Sequence, residues 1–216
     1  MNKKIYRYQV IFFVMIGIAI FFTSCSFGPK LDVQSTYKSP NLKETNLENM
    51  NLAILPIIMK EGLSVYKRPF ASALSKELSN SLSVVLDAGN SQTKLVDAGL
   101  FTAYKNVLEG YRVSGVFDRT LLLQISNQIE CDYVLISELN ISGWEVRVSG
   151  GYPDHVVETH TKIISANSYL WSAKDSTLLW EGNATFRVGD QTFKTDIELC
   201  ELLGNSLSKE LINSLR

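Results

Sequence analysis

Histidine, cysteine and proline are scarce in this 216-residue chain, at two, three and five residues. Zinc sites want three or four convergent ligands, and His155 and His160 alone do not supply them. Five apart in an extended segment, the two rings also turn to opposite faces. Asp154 and Glu158 nearby leave a low-affinity site as the sharpest metal reading, and the bland one outweighs it: no metal is expected. Cys131 and Cys200 belong to no C-x-x-C pair, and no G-x-S-x-G turn is present to expose a serine nucleophile. Gly150-Gly151 lacks the spacing that cradles a phosphate and runs on to Pro153, as a turn does. No catalytic residue and no cofactor is therefore assigned, and the chain is expected not to be an enzyme. A hydrolase stays a minor alternative, revived only if changing His155, Asp154 or Glu158 removed function without unfolding the chain. Charge is close to balance, with 21 Lys+Arg against 22 Asp+Glu, so nothing attracts nucleic acid.

Apolar sequence is concentrated at the start. Lys3, Lys4 and Arg7 precede an unbroken run of 13 residues from Val10 to Phe22. That pattern fits a secretory signal, whereas a membrane-spanning helix needs about 20 apolar residues. Extending the run to Phe27 as a permanent anchor would require accepting Thr23, Ser24, Cys25 and Ser26 at its end. Phe22-Thr23-Ser24-Cys25 resembles the bacterial lipobox, with Phe in place of the usual Leu. The resemblance implies that Cys25 is diacylglycerylated and becomes the new N-terminus, with the lipid bilayer as its first partner. Two or three acyl chains anchor stably where one does not. Ser26 after the cysteine resembles the sorting signal for the outer membrane. The expected organisation is 1–24 signal peptide, 25–50 lipidated cysteine and linker, and 51–216 an α/β periplasmic domain.

Removing the three basic residues of the signal leaves 18 Lys+Arg against 22 Asp+Glu, a mature charge of −4. Residues 26–50 mix Gly28, Pro29 and Pro40 with Asn, Lys, Glu and Ser and show no sustained apolar period, which reads as a linker. Its extended reach would be roughly 80 Å. Leu31, Val33, Tyr37, Leu42 and Leu47 are the counter-signal, since one of these pieces could add an edge strand.

From Asn51 the pattern is globular. Leu52 to Ile58, interrupted by Pro56, predicts a first, central strand buried on both faces. Phe70, Leu74, Leu78, Leu82 and Leu86 recur every four residues and predict a helix from about Pro69 to Leu86. Lys94 to Asp97 reads as a second strand, Gly99 to Glu109 as a short helix, and Asp118 as the cap of a helix carrying Leu121, Leu122, Ile125 and Ile129. Asp132 to Leu139 reads as the next strand. Trp144 to Val148, Val156 to Leu170 and Leu178 to Val188 alternate as antiparallel strands, with Asp175-Ser176 at a hairpin turn. A two-residue loop there would set Trp171 opposite Trp180, and a three-residue loop would break that register. Thr195 to Leu215 predicts a long closing helix.

Segments 73–82 and 206–215 match at eight of ten positions. The similarity does not extend beyond one helix, so two helices on one sheet face explain it better than a domain repeat. The sharper reading makes one of them an oligomer interface. Cys131 and Cys200 either pair or sit buried, burial being the better reading for two cysteines without a dense framework. Trp144, Trp171 and Trp180, with Tyr152 and Tyr169, read as sheet core before they read as a ligand surface.

The Asn51–Ile58 strand, the helix after it, the Cys131 to Leu135 strand start, the Trp171 to Trp180 hairpin and the Leu-rich final helix together carry a family resemblance. The chain resembles a superfamily of periplasmic lipoproteins that includes the curli-secretion channel subunit and the lipoprotein activators of penicillin-binding proteins. In the hairpin Ser176 stands where relatives often place Gly. The resemblance implies an α/β fold: a single compact domain, a mixed β-sheet with packed amphipathic helices, and a C-terminal antiparallel hairpin followed by a long helix. It also implies work through a protein partner in the cell envelope, with no shared catalytic residues. The expected function is that of a membrane-anchored binding or assembly module. The alternative is a homo-oligomeric subunit of an outer-membrane secretion channel or scaffold.

Overall fold

Four apolar residues in a row, Leu52 to Leu55, offer no polar face to solvent, so the strand that holds them needs cover on both sides. The computed structural model supplies it, describing residues 29–44, 50–59, 64–114, 116–152, 155–189 and 194–216. The signal segment, Cys25 and Asp154 lie outside the described residues. The first half contains β1 (Lys30–Lys38), β2 (Asn51–Ile54), α1 (Lys67–Ser79), β3 (Val84–Leu86), α2 (Ala88–Asp97), α3 (Phe101–Lys105), α4 (Val107–Ser114) and α5 (Arg119–Ile129). Then come β4 (Tyr133–Ile141), β5 (Glu145–Tyr152), β6 (His155–Ser172), β7 (Leu178–Gly189) and α6 (Asp196–Leu215).

The strands form one mixed seven-stranded sheet in the order β1-β7-β6-β4-β2-β3, with β5 paired to the outer part of β6. The expected mixed α/β architecture, with its C-terminal hairpin and closing helix, is the one observed. Period-two alternation divides the core. Leu52, Ile54, Leu135, Leu170 and Trp180 pack on one side against α1 and α6. Ala53, Leu55, Val134, Ile136 and Trp171 pack on the other with Leu95, Tyr104, Leu108, Phe117 and Ile125 from α2 to α5 and the loop before α5. Each such aliphatic side chain contributes about 1.5–3 kcal/mol on burial.

Caps define the helices where the chain supplies them. Asp118 accepts from Leu121 N and starts α5 as expected. Thr195 and Glu198 form a reciprocal capping box at the head of α6, with the Glu198 carboxylate accepting from Thr195 N at 2.7 Å. The two similar helical segments do share a sheet face, α1 packing directly on α6.

Several expectations are corrected. β2 is buried on both faces but is second from the sheet edge, not central. α1 stops at Ser79 because Val84 and Val85 prefer extended backbone and pair β3 in parallel with β2. Leu82 then packs on one face of the sheet and Leu86 on the other. Lys94 to Asp97 is helical, not a strand: the Asp87 carboxylate accepts from Gly89 N and Asn90 N and nucleates α2. That helix ends in a Schellman turn, with Gly99 at φ 69° and Leu100 N donating to Leu95 O. Gly99 thus terminates a helix instead of opening one, and the helix expected over 99–109 is two, α3 and α4. Lys30–Lys38 belongs to the sheet, pairing antiparallel with β7, so the segment read as linker gives an edge strand.

The Trp171–Trp180 pair does not form. Ser172 N donates to Thr177 O, closing a loop of four residues, 173–176, and a register shift follows that sets Trp171 opposite Leu178 and Leu170 opposite Trp180. The two indoles lie on opposite sheet faces. Ser176 adopts a left-handed φ of 53°, the backbone region that favours glycine.

Cys131 and Cys200 are free and lie in different core layers. Burial pushes both thiols up to about 12. At pH 8 the thiolate fraction is then about 10⁻⁴, so a disulfide reagent should leave both unlabelled in the folded chain and modify both in denaturant, as read by peptide mass. Label on native Cys200 would contradict this packing.

Candidate functional site

Strand direction brings three features to one end of the sheet. β2, β3, β4 and β7 run toward that end, and β1 and β6 start from it. The first feature is the entry of the chain, Lys30, paired with Arg187. The second is a projecting arm. β6 pairs with β4 only from Ile164 and with β7 only from Thr161, so its stretch 155–160 carries β5 alone. Trp144, Val146 and Val148 alternate along this arm and are 51%, 52% and 64% exposed. Lys162, at its base, is ion-paired to Asp196 in the first turn of α6.

The third feature is a cleft of about 880 Å³ at the carboxyl ends of the parallel strands β2 and β3, where open α/β sheets place their ligands. Its floor is the segment Pro56 to Met59. Backbone bonds from Leu55 N to Leu135 O and from Ile58 N to Ser137 O, both 2.9 Å, hold that segment to β4. Proline has no N–H to donate, and the Pro56 carbonyl accepts from the buried Tyr104 hydroxyl at 2.6 Å. Burial pushes that phenol far up, so it remains a neutral donor.

The walls come from α1, α2 and α3. Lys67 and Arg68 in the first turn of α1, Asp87 with Ala88 and Gly89 at the head of α2, and Phe101 and Lys105 of α3 all line the cleft. Cations in a first turn oppose the helix dipole, so Lys67 and Arg68 stand where α1 itself gains nothing from them. No side chain caps α1. Burial lowers the Lys67 pKa, and the positive charge of Lys105 lowers it further. Lys105 Nζ sits 4.8 Å from the Phe101 ring centroid. The carboxylate among these residues, Asp87, is engaged by Gly89 N, Asn90 N and Asn90 Nδ2. The cleft therefore combines an apolar floor with three cations around one occupied anion.

Pro56 to Ile58 stood out in the sequence as a strand only, and the cations of the cleft did not stand out, although Lys67-Arg68 ahead of an amphipathic helix was the signal available. Of the residues that did stand out, Asp154 lies outside the described residues. His160 lies opposite Val146 and His155 opposite Tyr152 on the arm. No group of three potential metal ligands exists among the described residues. Trp171, Trp180 and Tyr169 are core, and of the three tryptophans Trp144 is the exposed one.

No family model matches the chain, and no curated protein matches it in sequence. Among solved structures, the chain is similar to the PelC dodecamer from Paraburkholderia phytofirmans, at TM-score 0.49 and 11% identity over 84% of this chain and 97% of that one. It is also similar to lipoprotein GNA1162 from Neisseria meningitidis, at 0.45 and 16% over 76% and 99%. A third is the C-terminal domain of LpoB from Salmonella enterica, at 0.39 and 13% over 65% and 84%.

Proposed function

We propose that this chain is a lipid-anchored bacterial envelope protein whose α/β domain is a non-catalytic binding or assembly module. Cys25, acylated, holds it on the periplasmic face of the outer membrane. The observation that carries this reading is the lipobox-like Thr23-Ser24-Cys25 after a short apolar run, followed only five residues later by the sheet itself at Lys30. Five residues reach about 18 Å at full extension, far less than a 25-residue spacer would. The tether-bearing end of the sheet, with its arm and cleft, therefore faces the lipid. The mechanism is positional: confinement to a thin layer raises the effective concentration of the domain for partners in that layer.

The arm favours a second reading, a subunit of an oligomeric channel or scaffold. It counts for less, because a bilayer-crossing strand needs about 9–11 residues with an apolar outer row. β5 has eight residues, and the cross-strand partners of Val146 and Val148 are His160 and Glu158.

Cys25→Ser tests the anchor. The substitution should abolish incorporation of labelled fatty acid and leave uncleaved precursor in the cell, and unchanged labelling would sink the reading. The mass of the acylated protein in mild detergent then separates a small module bound to a defined partner from a ring of many copies.

A further inference from the structure

We propose that the cleft at the carboxyl ends of β2 and β3 binds a phosphate group carried on an apolar body, with Lys67, Arg68 and Lys105 on the phosphate and the apolar body against Ile57, Met59 and Phe101. Four observations converge on it. The volume of about 880 Å³ is that of a small-molecule site. The three cations converge from α1 and α3, elements that meet only in the fold, and among the described residues none of the three has a carboxylate within ion-pair distance. The Lys67 and Lys105 ammonium groups repel each other, a cost that the empty protein bears and a dianion would remove. The N-terminal end of α1, with the 3-10 turn Ser64–Tyr66 that runs into it, lines the cleft through Ser64, Lys67 and Arg68, and the helix dipole adds to the attraction.

Charge selects the ligand class. Three cations against the single engaged carboxylate of Asp87 leave an excess near two, the charge of a phosphate monoester at neutral pH. A lone carboxylate would neutralise half of it. The floor of Pro56, Ile57, Ile58 and Met59 presents apolar side chains, which suit acyl or other apolar atoms next to the phosphate. The chemistry of the site does not depend on the membrane reading. Only the source does: with the cleft at the tether end, a lipid headgroup of the same leaflet is the nearest supply.

The test is calorimetric titration of the full chain in neutral detergent with three probes: dihexanoyl phosphatidate, glycerol 3-phosphate and inorganic phosphate. Phosphatidate is expected to bind most tightly and to weaken as salt is raised. Lys67→Gln with Lys105→Gln should weaken it by about tenfold or more for each charge removed. Lys209→Gln, exposed on α6 away from the cleft, should bind as the unsubstituted chain does. The unliganded double variant should unfold at the same temperature or higher, because a repelling like-charged pair has been removed. A purely structural role for the two lysines would instead lower that temperature.

Equal affinity for glycerol 3-phosphate, lost in the double variant, would uphold the phosphate site and assign it a soluble source. Two outcomes overturn the proposal: no binding of any probe at millimolar concentration, or binding of phosphatidate that the double variant keeps. Failure of Cys25 acylation would remove the membrane reading and leave these results standing.

Discussion

Trp180→Ala is expected to lower the unfolding free energy by about 3–5 kcal/mol, with an unchanged dependence on denaturant. Trp180 is fully buried on β7, where its indole fills the space between the sheet and α6. The loss would include more than packing. The indole Nε1 donates to Ser35 Oγ at 2.9 Å, and that hydroxyl in turn donates to Glu210 of α6, so one side chain links β7, β1 and the closing helix. Gly182 sits two residues on, on the same face of the strand, and the ring lies across it. A Cβ at Gly182 would collide with Cζ2 and Cη2 of the indole. Gly182→Ala should therefore destabilise the unsubstituted chain but cost far less once Trp180 is alanine. Equilibrium unfolding of the four proteins gives the coupling directly, and additive single effects would show that the ring does not cover Gly182.

What could be read from the sequence was what local chemistry decides. Asp118 caps its helix because a short oxygen-bearing side chain next to free N–H groups works in any tertiary setting. The alternation of β6 and β7 was legible because one face of each is buried and the other partly wet. Failures came where tertiary context outvoted a local pattern. Leu82 and Leu86 continue the four-residue period of α1 by coincidence, and Val84-Val85 pairing with β2 breaks it. Lys94-Leu95-Val96-Asp97 has a strand-like centre, but Asp87, seven residues earlier, had already set the helix.

The edge strand β1 was nearly invisible because its pattern is weak. Leu31 and Val33 are only partly buried, and pairing with β7 supplies what the side chains do not. The cleft was invisible for another reason. Its cations and its floor come from segments separated by up to about 50 residues in sequence, and convergence of that kind is a property of the fold. Its one local trace was Lys67-Arg68 on the wrong end of a helix dipole.

Gly204→Ala is expected to destabilise the protein, against helix propensity. Alanine exceeds glycine in a helix interior by about 0.8–1 kcal/mol, so α6 considered alone would gain. In the fold, α6 crosses α1 at this residue. A Cβ at Gly204 would stand 2.7 Å from the Phe70 carbonyl oxygen and 3.0 Å from the Ala73 Cβ. The first neighbour is backbone, which yields only if the two helices move apart, and overpacking of that kind costs about 1–3 kcal/mol. The net loss for alanine is therefore up to about 2 kcal/mol after the propensity gain. Leucine at the same site should cost more, because separation of α1 from α6 also opens the layer that covers Leu52 and Leu135.

Gly110 provides the control within the same chain. It is exposed in α4, and a Cβ there meets nothing within 4 Å, so Gly110→Ala should stabilise by up to about 1 kcal/mol. Denaturant midpoints of the two alanine variants should thus shift in opposite directions. The same direction for both would mean that α1 and α6 are not in the close contact described, and the sheet face they cover would need a different partner.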